Sequence, residues 1–189
     1  MKGSVVLASA SPRRRDLLEA AGYSVTCAAS AVEELEVDHL DPGALALENA
    51  RRKSTAIRPG FPDRLVIAAD TVVAMQGEFF GKPGDEAQAL RMLRRLRGQS
   101  HVVVTGVVVS AAGRWVEFYE QTVVTFRDLD DEALIDYIRD IHPYDKAGGY
   151  AAQDDHGRII QRIEGSMTNV IGLPMERLEE VLSSLLASR

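Results

Sequence analysis

The chain has 189 residues, of which 46% are hydrophobic and 26% charged, a balance that suits one globular domain with a substantial core and leads us to expect a single domain over residues 1–189. Its net charge of −6 argues against a general nucleic-acid binder, which needs a broad basic face. A single cysteine, Cys27, excludes an intrachain disulfide framework and any cysteine-based zinc site. No stretch is long and apolar enough to span a bilayer, and Met1-Lys2-Gly3-Ser4 opens no apolar leader with a cleavage site. A cytoplasmic protein without a membrane partner is the expectation.

In chain order, Val5-Val6-Leu7 reads as a strand, followed by Ser11 as a helix N-cap and Pro12 in the first turn. Arg13, Arg14 and Arg15 then stand at the positive end of that helix. Each cation there costs up to about 0.3–1 kcal/mol. A bound anion reverses the penalty, because helix N-termini and arginine forks both recognise phosphate. The plainer alternative is that the guanidinium groups splay into solvent or pair with Asp16 and Glu19.

Gly22 closes the helix and Tyr23 to Ala28 forms a second strand, followed by a connector carrying Glu33 and Glu34. Asp41-Pro42 opens a helix to about Ile57. Leu65 to Ala69 is an apolar strand ending at Asp70, and Thr71 to Met75 forms a second run turning at Gln76-Gly77. Asp85 caps a helix, with Gln88 placed as in a capping box, and Gly98 stops it. His101 to Ser110 and Arg114 to Phe126 form a hairpin through Ala112-Gly113. A helix from Asp130 to about Asp140, an irregular stretch from His142 to Gly157, and a strand from Arg158 to Ile163 follow. Ser166 to Gly172 reads as loop or strand, and Pro174 opens a terminal amphipathic helix to about Ala187. Alternating elements with a hairpin predict an α/β fold with a mixed, strongly twisted sheet flanked by helices.

Several residues carry chemistry. Asp70, at the carboxyl edge of a buried strand, either holds a divalent ion and takes a proton from water or caps a turn. Glu33 and Glu34 either need a metal or lysine nearby or lie in a solvated loop. Lys53 falls on the small, apolar stripe Ala46, Asn49, Ala50, Ala56 and Ile57, so it either meets an inward anion or snorkels outward. Lys82 lies in Gly81-Lys82-Pro83-Gly84, which is no Walker loop because proline replaces the required Ser or Thr. Asp145 through Gln153 reads as a binding loop or a flexible connector; in the first case Tyr150 packs on the ligand and Gln153 reads a base edge. His39, His101, His142 and His156 show no metal-ligand spacing, and no nucleophile elbow or dinucleotide fingerprint occurs.

Together, Leu7-Ala8-Ser9-Ala10-Ser11-Pro12-Arg13-Arg14, Ala69-Asp70-Thr71-Val72-Val73, Gly81-Lys82-Pro83, Asp145-Lys146-Ala147-Gly148 and Val170-Ile171-Gly172-Leu173-Pro174 resemble the Maf-type nucleoside triphosphate pyrophosphatases, in family order over nearly the whole chain. The resemblance implies a fold similar to inosine-triphosphate pyrophosphatases, often dimeric. It also implies cleavage between the α and β phosphates with Mg²⁺ or Mn²⁺, giving a monophosphate and pyrophosphate. Asp70 becomes the proton acceptor, with Lys53 and Lys82 as catalytic cations. Ser9, Arg13, Arg14, Lys53 and Lys82 become the phosphate set, and Glu34, rather than Glu33, joins Asp70 at the metal. Asp70-Thr71 and Gln153 are similar to the branch favouring dTTP and UTP, making Arg13, Thr71 and Gln153 the specificity positions. The usual small-Tyr-Gly-Ile-Gln-Gly stretch is here Gly149-Tyr150-Ala151-Ala152-Gln153-Asp154. Two other functions stand beside this one: a non-catalytic regulator of cell division that binds an anionic partner, and a pyrophosphatase for modified purine nucleotides.

Overall fold

A computed structural model describes residues 2–35, 41–111 and 113–187. Seven strands form one mixed sheet: β1 (Gly3–Leu7), β2 (Tyr23–Cys27), β3 (Leu65–Met75), β4 (Glu78–Phe79), β5 (Ser100–Ala111), β6 (Arg114–Phe126) and β7 (Ile160–Glu164). The order is β2-β1-β3-β5-β6-β7, with β4 paired on β3. β2, β1 and β3 run parallel, whereas β3, β5, β6 and β7 pair antiparallel. The helices are α1 (Pro12–Ala20), α2 (Pro42–Ile57), α3 (Glu86–Leu96), α4 (Asp131–Ile141), α5 (Met167–Ile171) and α6 (Met175–Ala187). The expected mixed α/β fold is thus the observed one, although Ala112 of the expected hairpin turn lies outside the described residues.

Local chemistry accounts for the helix starts. The Asp41 carboxylate accepts from the backbone N–H groups of Gly43 and Ala44, and Asp130 accepts from that of Ala133. Asp85 accepts from the Gln88 N–H at 2.6 Å, while the Gln88 side chain reaches back to Gly84 N rather than Asp85 N, a capping box displaced by one residue.

Alternation along β3 divides the core. Val66 and Ala68 face α2 with Ala50 and Val108, whereas Ile67 and Ala69 face α1 and α6 with Leu18, Leu178 and Leu182. A third cluster packs Val73, Phe126 and Tyr150 beneath α3 and α4, around Leu93, Leu134 and Tyr137. Each such fully buried large side chain contributes about 1.5–3 kcal/mol.

Two sequence expectations need correction. β3 does not end at Asp70 but runs unbroken to Met75, because its ladder with β5 continues through Asp70↔Gly106 and Thr71↔Thr105. Ser166 to Gly172 is neither loop nor strand: Ser166 Oγ accepts from Asn169 N and caps the short helix α5.

Candidate active site

The cleft originates in a mismatch of strand lengths. β1 pairs with β3 only as far as Leu7↔Ile67, with one further bond from Ala8 N to Ile67 O. Past that point β1 turns away into Ser9–Ser11 and α1, so Asp70 and Thr71 continue along β3 without β1 beside them. A cavity of about 450 Å³ opens there, a size suited to a small-molecule ligand. Ser9, Arg13, Arg14, Glu34, Lys53, Asp70, Thr71, Lys82 and Gln153 all line it. The residues nominated from the sequence therefore converge on one space, although they come from positions 9 to 153.

On the α2 face stands the acid cluster. Asp70 is only 4% exposed. Lys53 Nζ donates to Asp70 Oδ1 at 2.6 Å and to Glu34 Oε1 at 2.6 Å, and Lys82 Nζ reaches Glu34 Oε2 at 3.4 Å. Lys53 thus points inward onto carboxylates; of the stripe expected beside it, Ala46, Asn49 and Ala50 are buried but Ala56 is exposed. Burial alone would raise the Glu34 carboxyl, but the hydrogen bond and charge of Lys53, reinforced by Lys82, hold it well below the ordinary carboxylate range. α2 comes this near because residue 106, opposite Asp70 on β5, is glycine. A Cβ there would lie 2.4 Å from the backbone carbonyl carbon of Ala46.

The opposite wall is built by α1. Ser11 occupies the N-cap position but its side chain makes no capping bond, while Ser9 Oγ accepts from Ser11 N. Arg14 is buried, donating from Nε to Gly172 O at 2.7 Å, from Nη1 to Ser9 Oγ and from Nη2 to Thr71 Oγ1 at 2.9 Å. Desolvation weakens its hold on its proton, partly offset by the charges of Asp70 and Glu34. Arg13 pairs with Asp145 at 2.7 Å, and Lys146 holds the same carboxylate at 2.6 Å. Burial pushes the Asp145 carboxyl up, yet those two cations prevail and bring it to about 2.

The stretch from Asp145 to Gln153 folds as short 3₁₀ turns and is anchored, not loose. Gly148, with φ +76°, donates its N–H to Phe80 O and Gly81 O, tying this loop to the one that carries Lys82. Tyr150 is buried, its hydroxyl 2.9 Å from His101 Nε2. Gln153 lines the cavity with its amide donating to Asp154.

Five cations (Arg13, Arg14, Lys53, Lys82 and Lys146) and three carboxylates (Glu34, Asp70 and Asp145) line the cavity, a local charge of +2 in a chain of −6. Such a pocket attracts polyanions while the remaining surface repels them. The family model described as Maf-like protein matches residues 4–185. The chain belongs to the Maf-like family. A Bacillus cereus relative named dTTP/UTP pyrophosphatase is 40% identical over 174 residues, covering 92% of this chain and 86% of its own. A Bacillus anthracis relative of the same name is 39% identical, covering 92% and 91%. Among solved structures, the nucleoside-triphosphatase / dITP/XTP pyrophosphatase of Mycobacterium abscessus has a TM-score of 0.42 at 15% identity, covering 67% of this chain and 75% of that one. The Ham1 protein of Staphylococcus aureus has a TM-score of 0.45 at 18% identity, covering 66% and 72%.

Within this Maf-like site, the described residues include no group of three or more His, Cys, Asp or Glu able to hold a metal by protein ligands alone. Glu34 and Asp70, converging on one lysine, are nevertheless a donor set that suits Mg²⁺, which commonly takes one or two carboxylates and completes its shell with phosphates and water. Sequence reasoning missed the contribution of Asn49, whose side chain reaches Asp70 Oδ2 at 3.2 Å, and that of Gly106. A glycine inside a valine-rich strand was the available signal for a close backbone approach. Among the described residues no helix is long and apolar enough to cross a membrane.

Proposed function

We propose that this chain is a nucleoside triphosphate pyrophosphatase that cleaves between the α and β phosphates, with dTTP and UTP as preferred substrates. The observation that carries the reading is the buried Lys53 ammonium gripping both Asp70 and Glu34 in a net-positive cavity. The names of the Bacillus relatives support the same chemistry and the same bases.

In this mechanism Asp70 orients the attacking water and takes its proton as oxygen adds to the α phosphorus. The bond from that phosphorus to the α–β bridging oxygen breaks, and the oxygen departs with pyrophosphate. Lys53 fixes Asp70 Oδ1 and Asn49 donates to Oδ2, and each carboxylate oxygen keeps a second lone pair with which to accept from the water. Lys82, Arg13 and the N-terminal N–H groups of α1 receive the charge accumulating on the leaving group. A divalent ion held by Asp70 and Glu34 would neutralise phosphate charge and polarise the phosphoryl oxygens. Thr71 and Gln153, both in the cavity lining, contact the base.

The test is pyrophosphate release from a panel of canonical, deaminated and modified nucleoside triphosphates with Mg²⁺ or Mn²⁺, run beside Asp70→Asn. The expected result is preferential release from dTTP and UTP, with nucleotide binding retained but turnover lost in the variant. Faster release from modified purine nucleotides would overturn the base assignment. No release from any nucleotide would overturn the enzymatic reading in favour of a regulatory anion-binding module.

A further inference from the structure

Asn49 lies one helical turn before Lys53 on α2 and shares its buried face, being 3% exposed. Its amide is fully committed. Nδ2 has two hydrogens and two acceptors, Leu35 O and Asp70 Oδ2, both at 3.2 Å. Oδ1 accepts from Leu35 N at 2.7 Å. This orientation is the one the surroundings allow, because a flipped amide would set its oxygen against a carbonyl and a carboxylate, and its NH₂ against an N–H.

The arrangement matters because of what Leu35 belongs to. Residues 28–35 have no regular secondary structure, and the Ala28 N bond to Leu7 O is where their attachment to the sheet ends among the bonds described. Asn49 supplies both halves of a backbone pairing for Leu35, as a neighbouring strand would. It thereby fixes the chain one residue beyond Glu34. Lys53 holds the Glu34 side chain, but that side chain is 41% exposed and its backbone needs a separate anchor. The same amide restrains the second oxygen of Asp70, so one residue ties the two acids together from behind.

We infer that Asn49 is a positioning residue that clamps the Leu35 backbone and Asp70 Oδ2 together, keeping Glu34 in register with Asp70. The role rests on the proposed pyrophosphatase reading but makes a structural claim that is testable without it. Asn49→Ala should lower kcat/KM about 10–100-fold, as loss of an outer-shell support commonly does, and raise the divalent-ion concentration needed for half-maximal rate. In an Glu34→Ala background the same substitution should cost much less, only the share acting through Asp70. Independently of turnover, hydrogen exchange at the Leu35 amide of Asn49→Ala should accelerate at least about tenfold, since its acceptor is gone.

An equal loss in both backgrounds, or unchanged Leu35 exchange in a folded variant, would overturn the inference. If Asn49→Ala fails to fold, Asn49→Ser serves instead: it lacks the amide that spans Leu35 and Asp70, and should move Leu35 exchange and the divalent-ion requirement in the same direction. A wild-type protein that releases no pyrophosphate refutes the proposed function alone, leaving the exchange result to decide on the clamp.

Discussion

Replacing Lys53 by methionine keeps most of the side chain's bulk and removes the charge on which the acid cluster depends. Lys53 and Asp70 are both nearly buried, with side chains 10% and 6% exposed and 2.6 Å between charged atoms. Removing one partner of such a pair costs about 3–5 kcal/mol, since the other is left desolvated and uncompensated. Glu34, at the cavity lip, is screened by solvent and adds at most about 1 kcal/mol. For a chain of this size, that corresponds to a fall in Tm of about 6–20 °C.

The loss should also depend on pH, with a sign that can be worked out. In the parent protein Glu34 sits below its unfolded value of 4.5, so its contribution is complete above that pH and fades only as the pH falls toward strong acid. In Lys53→Met the burial remains while the hydrogen bond and charge of Lys53 are gone, so Glu34 moves up toward its unfolded value, with Lys82 the cation left beside it. The parent keeps its Glu34 contribution down to about pH 4.5 and loses it below, whereas the variant has little of it to lose. Urea unfolding at pH 7 and pH 3 should therefore show a wide gap between parent and variant that narrows in acid. Millimolar MgCl₂ should raise the variant's Tm more than the parent's by supplying the missing positive charge. A gap that is equal at both pH values and indifferent to Mg²⁺ would refute the view that Lys53 compensates the two acids.

Three further outcomes follow from other parts of the structure. Gly106→Ala places a Cβ 2.4 Å from the α2 backbone, so it should destabilise by about 1–3 kcal/mol or more and lower turnover by lifting Lys53 from Asp70; native stability by urea titration would contradict the packing. Gln153→Glu replaces an amide donor with a carboxylate and should narrow the preference among bases in a nucleotide panel; unchanged relative rates would remove Gln153 from the specificity set. His101 is held neutral by burial, its value lowered from 6.5 to about 4. The unfolded chain thus binds the proton first as pH falls, and about 3 kcal/mol of stability should be lost between pH 6.5 and 4. His101→Gln should flatten that part of the stability–pH curve.

The fold was readable wherever a local signal sets the backbone, and unreadable where a distant contact does. Asp41, Asp85 and Asp130 announce their helices because a capping carboxylate acts within three residues. The polar pair Asp70-Thr71 interrupts an apolar run and so suggests a strand end. Yet the ladder is made by backbone groups, which are indifferent to side-chain polarity, and β5 supplies partners straight through. Val170-Ile171 suggests extended chain, but the Ser166 cap and the Asn169 amide, bonded to Val103 O and Thr122 Oγ1, hold a helical turn there. The residues nominated for the site share one cavity, and most of them lie in short contiguous motifs, although Glu34, Lys53 and Gln153 do not. Asn49 was visible on the Lys53 stripe, but its meaning depends on Leu35, 14 residues away in a segment with no periodicity.

The arginine run at the start of α1 shows why a cluster in sequence need not act as one in space. Successive helical residues are rotated by about 100°, so three adjacent cations face three directions. Arg15 points to solvent and pairs with Asp16 at 2.8 Å and Glu19 at 3.9 Å, the plain outcome anticipated from the sequence. Arg14 turns inward and is spent on Gly172 O, Ser9 and Thr71, which fixes α1 to β3 and to the end of α5. Arg13 alone reaches across the cavity, and there it meets Asp145. The helix-dipole penalty is therefore relieved by a different acceptor for each arginine. On the far wall the cations are paired too, but there Lys53 and Lys82 share one acceptor, Glu34. A polyphosphate entering this cavity has to compete with Asp145 and Glu34 for these cations, so its binding exchanges internal ion pairs for external ones. Such an exchange changes little net charge contact but much geometry, which favours an anion with several oxygens spaced across the cleft over a single phosphate.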